Sequence, residues 1–318
     1  MKIALIGPGI MPIPPNGWGA VETTIWEYYN ALKRIGCDVH IVNTPDMNEI
    51  IHTVNTNKFD VAHLHYDVFY PILDHLECEK IIFTSYYPFI TNISKYNADG
   101  FMPIFEFITR HNKTYLIQCL SNEILNFLVS HGANKDNLFV LPNGANDESF
   151  KFTQSPSKVN RAIYLGKIEP RKMQYVYQYI DNIDFVGHIN DDKFINKTNY
   201  IGHWSREILY QNLTEYGCLV LLSIGDASPL VCCEALMAGL GLVISKHCDA
   251  NLDLNLPFIT IIPDDKLDDL DYVEKEIKRT LEIAKSMRNE IRQYGISVFS
   301  FNTIVHNYMN IINNKKDT

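Results

Sequence analysis

An α/β chain made of two consecutive, similar halves is what this sequence predicts, on three observations. Short runs rich in Val and Ile alternate with stretches of helical periodicity. Those runs are apolar throughout, as expected of strands buried on both faces of a parallel sheet with helices on either side. The pattern stops at a polar, aperiodic stretch near the middle of the 318 residues and then begins again. A chain of this length carries about two domains of ~100–200 residues each.

In the first half, residues 3–6 form the opening strand. A helix over about 20–35 follows, with Val21, Ile25, Tyr28, Leu32 and Ile35 on one face and Gly36 as its stop. Strands are expected at 39–42, 61–64, 81–84, 116–120 and 139–141, the last running into the turn Pro142-Asn143-Gly144. Residues 145–160 read as a linker. The pattern restarts with a strand at 162–165, a helix at 173–180 and strands at 185–187, 200–202, 218–223, 242–245 and 260–262. A long charged helix over about 268–294 and a last amphipathic helix over about 302–312 close the chain. Ligands of such sheets bind beyond the carboxyl ends of the strands, and with two halves those ends can face each other across a cleft.

Composition excludes several classes. Hydrophobic residues make up 46% and charged residues 20%, a balance that fits neither a disordered chain nor a membrane bundle. No apolar run approaches the ~20 residues needed to span a bilayer, so no integral membrane segment is expected. The N-terminus reads as a buried strand rather than a signal peptide. The net charge is −9, from 28 basic and 37 acidic residues, which argues against sequence-independent nucleic-acid binding and against anionic bilayers. The seven cysteines show no CxxC spacing, which suggests neither a zinc site nor a disulfide framework and fits a reducing cytoplasm.

Three segments carry candidate chemistry. The loop after the first strand begins Gly7-Pro8-Gly9 like a dinucleotide fingerprint, but Pro12 stands where the third glycine belongs and further prolines delay the helix to about Ala20. NAD binding is therefore disfavoured. Gly17 and Gly19 instead let the backbone approach something closely at a helix N-terminus, a place suited to an anion; the alternative is a plain surface loop. The second segment, Gly166 to Lys172, puts Lys167 and Lys172 near a strand end, where two cations could hold a diphosphate; alone, it is a solvated basic turn beside Glu169.

The third runs from Asp226 to Gly239. Ser228 suits an N-cap, Pro229 the first helical position and Gly239 the stop. Cysteines aside, Glu234 is the only ionisable side chain between Asp226 and Lys246, inside an apolar helix. A buried carboxylate needs donors. A ribose diol would supply two; a salt bridge to a neighbouring Lys or Arg is the alternative. Of the weaker signals, His63 and His65 alternate at a strand end, where one could act as a hydrogen-bonding or acid–base group or simply be structural. Asp269 and Asp271 fit the acidic preference of a helix start rather than a metal site.

Together these segments resemble the retaining glycosyltransferase family 4, of GT-B fold. Pro15-Asn16-Gly17-Trp18-Gly19-Ala20-Val21-Glu22 is similar to the family's Pro-rich, Gly-Gly-x-Glu opening, and Val140-Leu141-Pro142-Asn143-Gly144 to its interdomain turn. Gly166-Lys167 with Lys172 is similar to its Gly-Arg-x4-Lys element, Asp226 and Glu234 to its two acids with seven residues between them, and Phe299-Ser300-Phe301 to the element before its final helix. The resemblance implies two Rossmann-like domains with parallel sheets facing across a cleft. The first would cover 1–150, completed by 302–318, on the acceptor side; the second would cover 158–298 and bind the donor.

By the same resemblance the chain would be a hexosyltransferase. It would move a sugar with retained configuration from a UDP- or GDP-sugar to a glycan, lipid or protein-linked acceptor, without cofactor or obligatory metal. Glu234 would bind the ribose, Lys167 and Lys172 the diphosphate, and Asp226 the sugar hydroxyls; backbone near Gly19 and Ala20 would meet the distal phosphate. His65, Gly17, Gly166, Ser228, Pro229 and Leu230 complete the expected site. Base contacts are expected near 201–204, where His203 lies. Departures from the family pattern are Asp226 for Glu, Lys167 for Arg, Ala20 for the second loop glycine, and Phe83-Thr84-Ser85-Tyr86-Tyr87 where a His is usual. Other readings are a GT-B sugar phosphorylase, a nucleotide-sugar epimerase, or an inactive sugar- or nucleotide-binding module. Oligomeric state is not legible.

Overall fold

The computed structural model describes residues 1–110 and 115–314. In chain order its elements are β1 (Lys2–Ile6), α1 (Ala20–Arg34), β2 (Asp38–Val42), α2 (Met47–Asn57), β3 (Val61–Leu64), β4 (Lys80–Thr84), α3 (Ile93–Ala98), α4 (Met102–Arg110), β5 (Leu116–Cys119), α5 (Asn122–Ser130) and β6 (Leu138–Val140). Then follow β7 (Lys158–Leu165), α6 (Gln174–Tyr177), β8 (Ile183–Val186), α7 (Arg206–Asn212), β9 (Tyr216–Leu221), α8 (Leu230–Met237), β10 (Gly241–Ser245), β11 (Ile259–Ile262), α9 (Leu270–Ser286), α10 (Arg288–Phe299) and α11 (Phe301–Asn314). Two compact units result. One comprises Met1–Pro15, Gly19–Asn143 and Phe301–Thr318; the other Asn16–Trp18 and Gly144–Ser300.

The first unit is a six-stranded parallel sheet in the order β2-β1-β3-β4-β5-β6. Its inner strands are buried on both faces, and helices must cover both, while the edge strand β2 leaves Asp38 and His40 exposed. Helix α1 contributes Ile25, Tyr28, Ala31 and Leu32 to the core, and Gly36 takes a positive φ of 87° just past its end. Ile35, expected on the apolar face, is exposed instead. Helices α2 and α5 start on side-chain caps from Asp46 and Ser121. Helix α11 belongs to this unit: Tyr308 and Phe301 pack edge-on against Tyr28, at ring separations of 5.4 and 5.5 Å.

The second unit is a five-stranded parallel sheet in the order β11-β10-β9-β7-β8. Helix α9 buries Val273, Ile277, Leu281 and Ala284 in its core. Asp269 caps α9, accepting from Tyr272 N, so the Asp269/Asp271 pair sits at a helix start as the sequence indicates.

Three local expectations are corrected. Tyr200 makes an isolated bridge to Phe185 rather than a strand over 200–202. The helix expected over 173–180 is a single 3-10 turn (Pro170–Lys172), then Met173 at φ 55°, then the four residues of α6. The long helix expected over 268–294 breaks at Met287 into α9 and α10. That break lets Arg288, 1% exposed, turn its guanidinium inward onto the carbonyls of Thr153 (2.9 Å), Tyr216 (2.9 Å), Thr214 (2.6 Å) and Ala238 (3.1 Å). Burial pulls the guanidinium down to about 10. Arg292 donates to the carbonyls of Asp147, Phe150 and Met237. The aperiodic stretch after Gly144 is thus held by arginines that also grip the end of α8.

Arg288→Met would strand three buried carbonyls and the half-buried one of Thr153. A loss of about 3–5 kcal/mol in stability is expected, read from urea unfolding, with Arg288→Lys recovering part of it.

Candidate active site

In the second unit the chain passes from β7 to β8 on one side and then to β9 on the other. The connections leaving β7 and β9 therefore diverge, and the gap between them at the carboxyl ends is the usual place for a ligand in an open parallel sheet. Lys167, Arg171 and Lys172 of the second segment and Asp226 come from these two connections.

Backbone geometry fixes the first connection. Gly166 leaves β7 at φ 140°, and a Cβ there would lie 2.7 Å from Lys172 Nζ. A Cβ on Gly187 would lie 1.9 Å from Gly166 O, so only glycine allows β8 to leave this close to β7. Gln174 Nε2 donates to Lys167 O at 2.9 Å. The buried Tyr164 hydroxyl donates to Lys172 O and accepts from Leu222 N at 2.8 Å, and Ile224 N donates to Arg171 O at 3.0 Å. The two connections are thereby tied into one frame.

The charges in that frame are unequally matched. Glu169 lies 2.8 Å from Arg171 Nη2 and 3.8 Å from Lys167 Nζ. Arg171 Nη1 donates to Gly225 O and stands 3.5 Å from Asp226 Oδ2. Lys172, half-buried, has no carboxylate within ion-pair distance among the described residues. Its ammonium and the Asp226 carboxylate both act on the buried thiols of Cys232 and Cys248; burial, the larger cause, pushes Cys248 up to about 12.

Helix α8 corrects two expectations. Its cap position is Pro229, with no side-chain cap, so Ser228, buried, precedes the cap rather than forming it; Leu230 is the first helical residue. Glu234 is buried, 2% exposed, as its apolar surroundings indicate. Arg206 Nη1 donates to Glu234 Oε1 at 2.6 Å. The salt bridge weighed from the sequence therefore forms, on one of the two carboxylate oxygens. His203, three residues before Arg206, is exposed and makes no contact with Glu234.

The first unit has its own divergence, between β1 and β3. Gly7 and Gly9 approach the unit's own chain: a Cβ on Gly7 would meet Asn43 Oδ1 at 2.6 Å, and one on Gly9 would meet the Thr44–Pro45 backbone at 2.2 Å. Asn43 accepts from Gly9 N and donates to Met11 O, both at 2.8 Å. Gly19, at φ 132°, precedes α1 with no side-chain cap, while exposed Ala20 opens the helix. The buried Glu22 carboxylate lies 3.0 Å from where a Gly19 Cβ would be, so a carboxylate of the chain already stands at this helix start; burial raises its pKa. A Cβ on Gly17 would meet nothing within 4 Å.

His65 is fully buried, not presented at an opening. Its Nδ1 shares a hydrogen bond with Tyr86 OH at 2.9 Å, and its ring stacks 3.8 Å from that of His63, which bonds Thr84 Oγ1 at 2.7 Å and Tyr308 OH at 3.2 Å. Nearby Asp67 accepts from Tyr86 N at 3.3 Å and has no cation partner among the described residues.

Arg171, Arg206, Tyr164 and Gln174 were not singled out as site residues from the sequence. Only Arg171 carried a signal, standing between the two lysines. Among the described residues no three His, Cys, Asp or Glu side chains group as a metal site, and no helix is long and apolar enough to cross a membrane.

No family model and no curated protein matches the sequence. Solved structures match in fold. Sucrose-phosphate synthase from Thermosynechococcus elongatus aligns with a TM-score of 0.78 at 13% identity, over 98% of this chain and 98% of its own. AviGT4, a glycosyltransferase involved in avilamycin A biosynthesis, gives 0.72 at 14% identity over 97% and 96%. HepE of Anabaena, in complex with UDP-glucose, gives 0.70 at 12% identity over 98% and 99%. The fold is that of the GT-B glycosyltransferases.

The buried histidines set a pH dependence. Burial pulls His65 down to about 3, and it lowers His63 in the same sense, with His65 adding to the effect. Both gain protons only on unfolding as the pH falls below about 6.5. Asp67 opposes them: burial lifts its carboxyl to about 6, so the folded state keeps a proton that the unfolded chain has released. Between pH ~6 and ~4 the unfolded state then binds about one more proton net. Stability from these groups is present above pH ~6.5 and is lost on acidification, at roughly 1 kcal/mol per pH unit. Urea midpoints between pH 7 and 4.5 should show the slope, and His65→Gln should remove most of it.

Proposed function

We propose that this chain is a nucleotide-sugar-dependent hexosyltransferase that binds the diphosphate of its donor on Lys172 and Lys167. The observation that carries the reading is the half-buried Lys172 ammonium, unanswered by any described carboxylate, at the strand divergence of the second sheet. A cation withheld from its own chain's acids is set for an anion from outside. The GT-B fold and the UDP-glucose complex of HepE favour a uridine diphosphate sugar as that anion.

The chemistry follows from where charge develops. As the glycosidic bond to phosphate breaks, negative charge grows on the departing diphosphate. Ammonium groups fixed in advance lower that barrier without reorganising during the reaction. The hydrogen bonds from Tyr164 and Gln174 to the carbonyls of Lys172 and Lys167 hold the backbone beneath both cations. Asp226, steadied by Arg171, is assigned the sugar hydroxyls, and Glu234 the ribose. Retention of configuration is assigned on the resemblance of these segments to the retaining family. The acceptor is a glycan, lipid or protein-linked hydroxyl. Seven free cysteines accord with a reducing compartment, the cytoplasm.

The test is a titration of the protein with UDP, GDP, UMP and GMP. A nucleoside diphosphate should bind and raise the apparent melting temperature. Lys172→Ala should weaken the diphosphate at least ~10-fold and the monophosphate much less, and should lower turnover of the nucleotide sugar. No binding of any nucleoside diphosphate to the wild-type protein would overturn the reading. So would release of sugar phosphate from a glycan with inorganic phosphate alone.

A further inference from the structure

The Glu234 carboxylate is the deepest acid near the strand divergence, and its partner comes from a different element. Ser205 caps α7, accepting from Ile208 N at 3.3 Å, which puts Arg206 at the first helical position. From there the guanidinium is held on two sides. Its Nε and Nη2 both donate to Tyr210 OH, at 3.2 and 3.1 Å, and its plane lies 4.8 Å from the Tyr210 ring. Tyr210 is itself braced edge-on by Phe150, with ring centroids 5.0 Å apart. Only Nη1 is turned to Glu234, and it meets one oxygen, Oε1.

A bidentate fork would occupy both carboxylate oxygens and close the acid to anything else. Here Tyr210 takes the other edge of the guanidinium, so the cation meets the carboxylate end-on. The acid is held in one orientation inside an apolar helix, with Oε2 outside the pair. A carboxylate oxygen so placed accepts from hydroxyls.

We infer that Arg206, braced by Tyr210, is a positioning residue that makes Glu234 a receptor for the ribose hydroxyls of the donor. The inference rests on the diphosphate-sugar reading above and deepens it by naming the group that sets recognition of ribose over deoxyribose. Arg206 acts through Glu234 and bonds no ligand atom itself.

The test compares UDP with 2′-deoxy-UDP on the intact chain, or the guanosine pair if GDP is the tighter ligand. Wild-type protein should prefer the ribonucleotide by ~10-fold or more. Arg206→Met should weaken the ribonucleotide by about that factor, leave the deoxynucleotide within ~2-fold, and so abolish the preference. Its KM for the nucleotide sugar should rise with kcat little changed. Arg206→Lys should restore part of the preference, and Tyr210→Phe should reduce it. Glu234→Gln should lose it too, with no further loss in the Arg206→Met, Glu234→Gln double variant.

Equal weakening of both nucleotides by Arg206→Met would mean a merely structural role and would overturn the inference, as would an unchanged preference. Far-UV circular dichroism of each variant separates misfolding from either result. Failure of the wild-type protein to bind any nucleoside diphosphate would instead remove the underlying reading, so the two failures are distinguishable.

Discussion

The Lys172 ammonium, set beyond the end of a buried strand with no carboxylate among the described residues to neutralise it, is the constraint around which the second unit is arranged. Cations near apolar surroundings are costly unless something answers them. Every nearby acid is otherwise engaged: Glu169 with Arg171 and Lys167, Asp226 with Arg171, Glu234 with Arg206. The arginines, planar and many-handed, take the internal carboxylates, and the lysine, a point charge, is left over. Two glycines and a tyrosine hydroxyl keep that remainder in place.

The two units solve the polar burial problem differently. In the second, the buried acids Asp184 and Glu234 are matched by guanidinium groups, and the largest buried cation, Arg288, is matched by four carbonyls and the Thr214 hydroxyl. In the first, polar burial is managed largely without charge. His63 and His65 remain neutral, joined to tyrosine and threonine hydroxyls, and Asp67 is pushed toward its protonated form. The strand-end histidines therefore contribute a hydrogen-bonded interior, not a group held ready at a surface.

The sheets, their parallel strands and the last helix were legible because buried strands in such a fold are short continuous apolar runs, and the sequence shows them at the right intervals. The depth of Glu234 was legible for the same reason: an acid surrounded by Leu, Ala, Met and Cys has little chance of exposure. Its partner was not legible. Arg206 lies 28 positions away, on a helix whose approach depends on how the chain turns after β8, and pattern carries no information about that. The break at Met287 was hidden because charged helical periodicity continues across it; only the tertiary demand on Arg288 reveals the interruption. What the first glycines of the opening loop approach was not legible for a related reason. A glycine signals a close approach but not to what, and Gly7 and Gly9 meet the chain's own Asn43 and Thr44.

Helix α11 lends Tyr308 and Phe301 to a core whose first strand begins at Lys2. Emergence from the ribosome is vectorial, so the unit translated first is the one finished last. Until the final stretch is synthesised, Tyr28 and His63 lack the rings meant to cover them, while the later, nearly contiguous unit already has all its strands. The order of maturation thus runs against the order of translation.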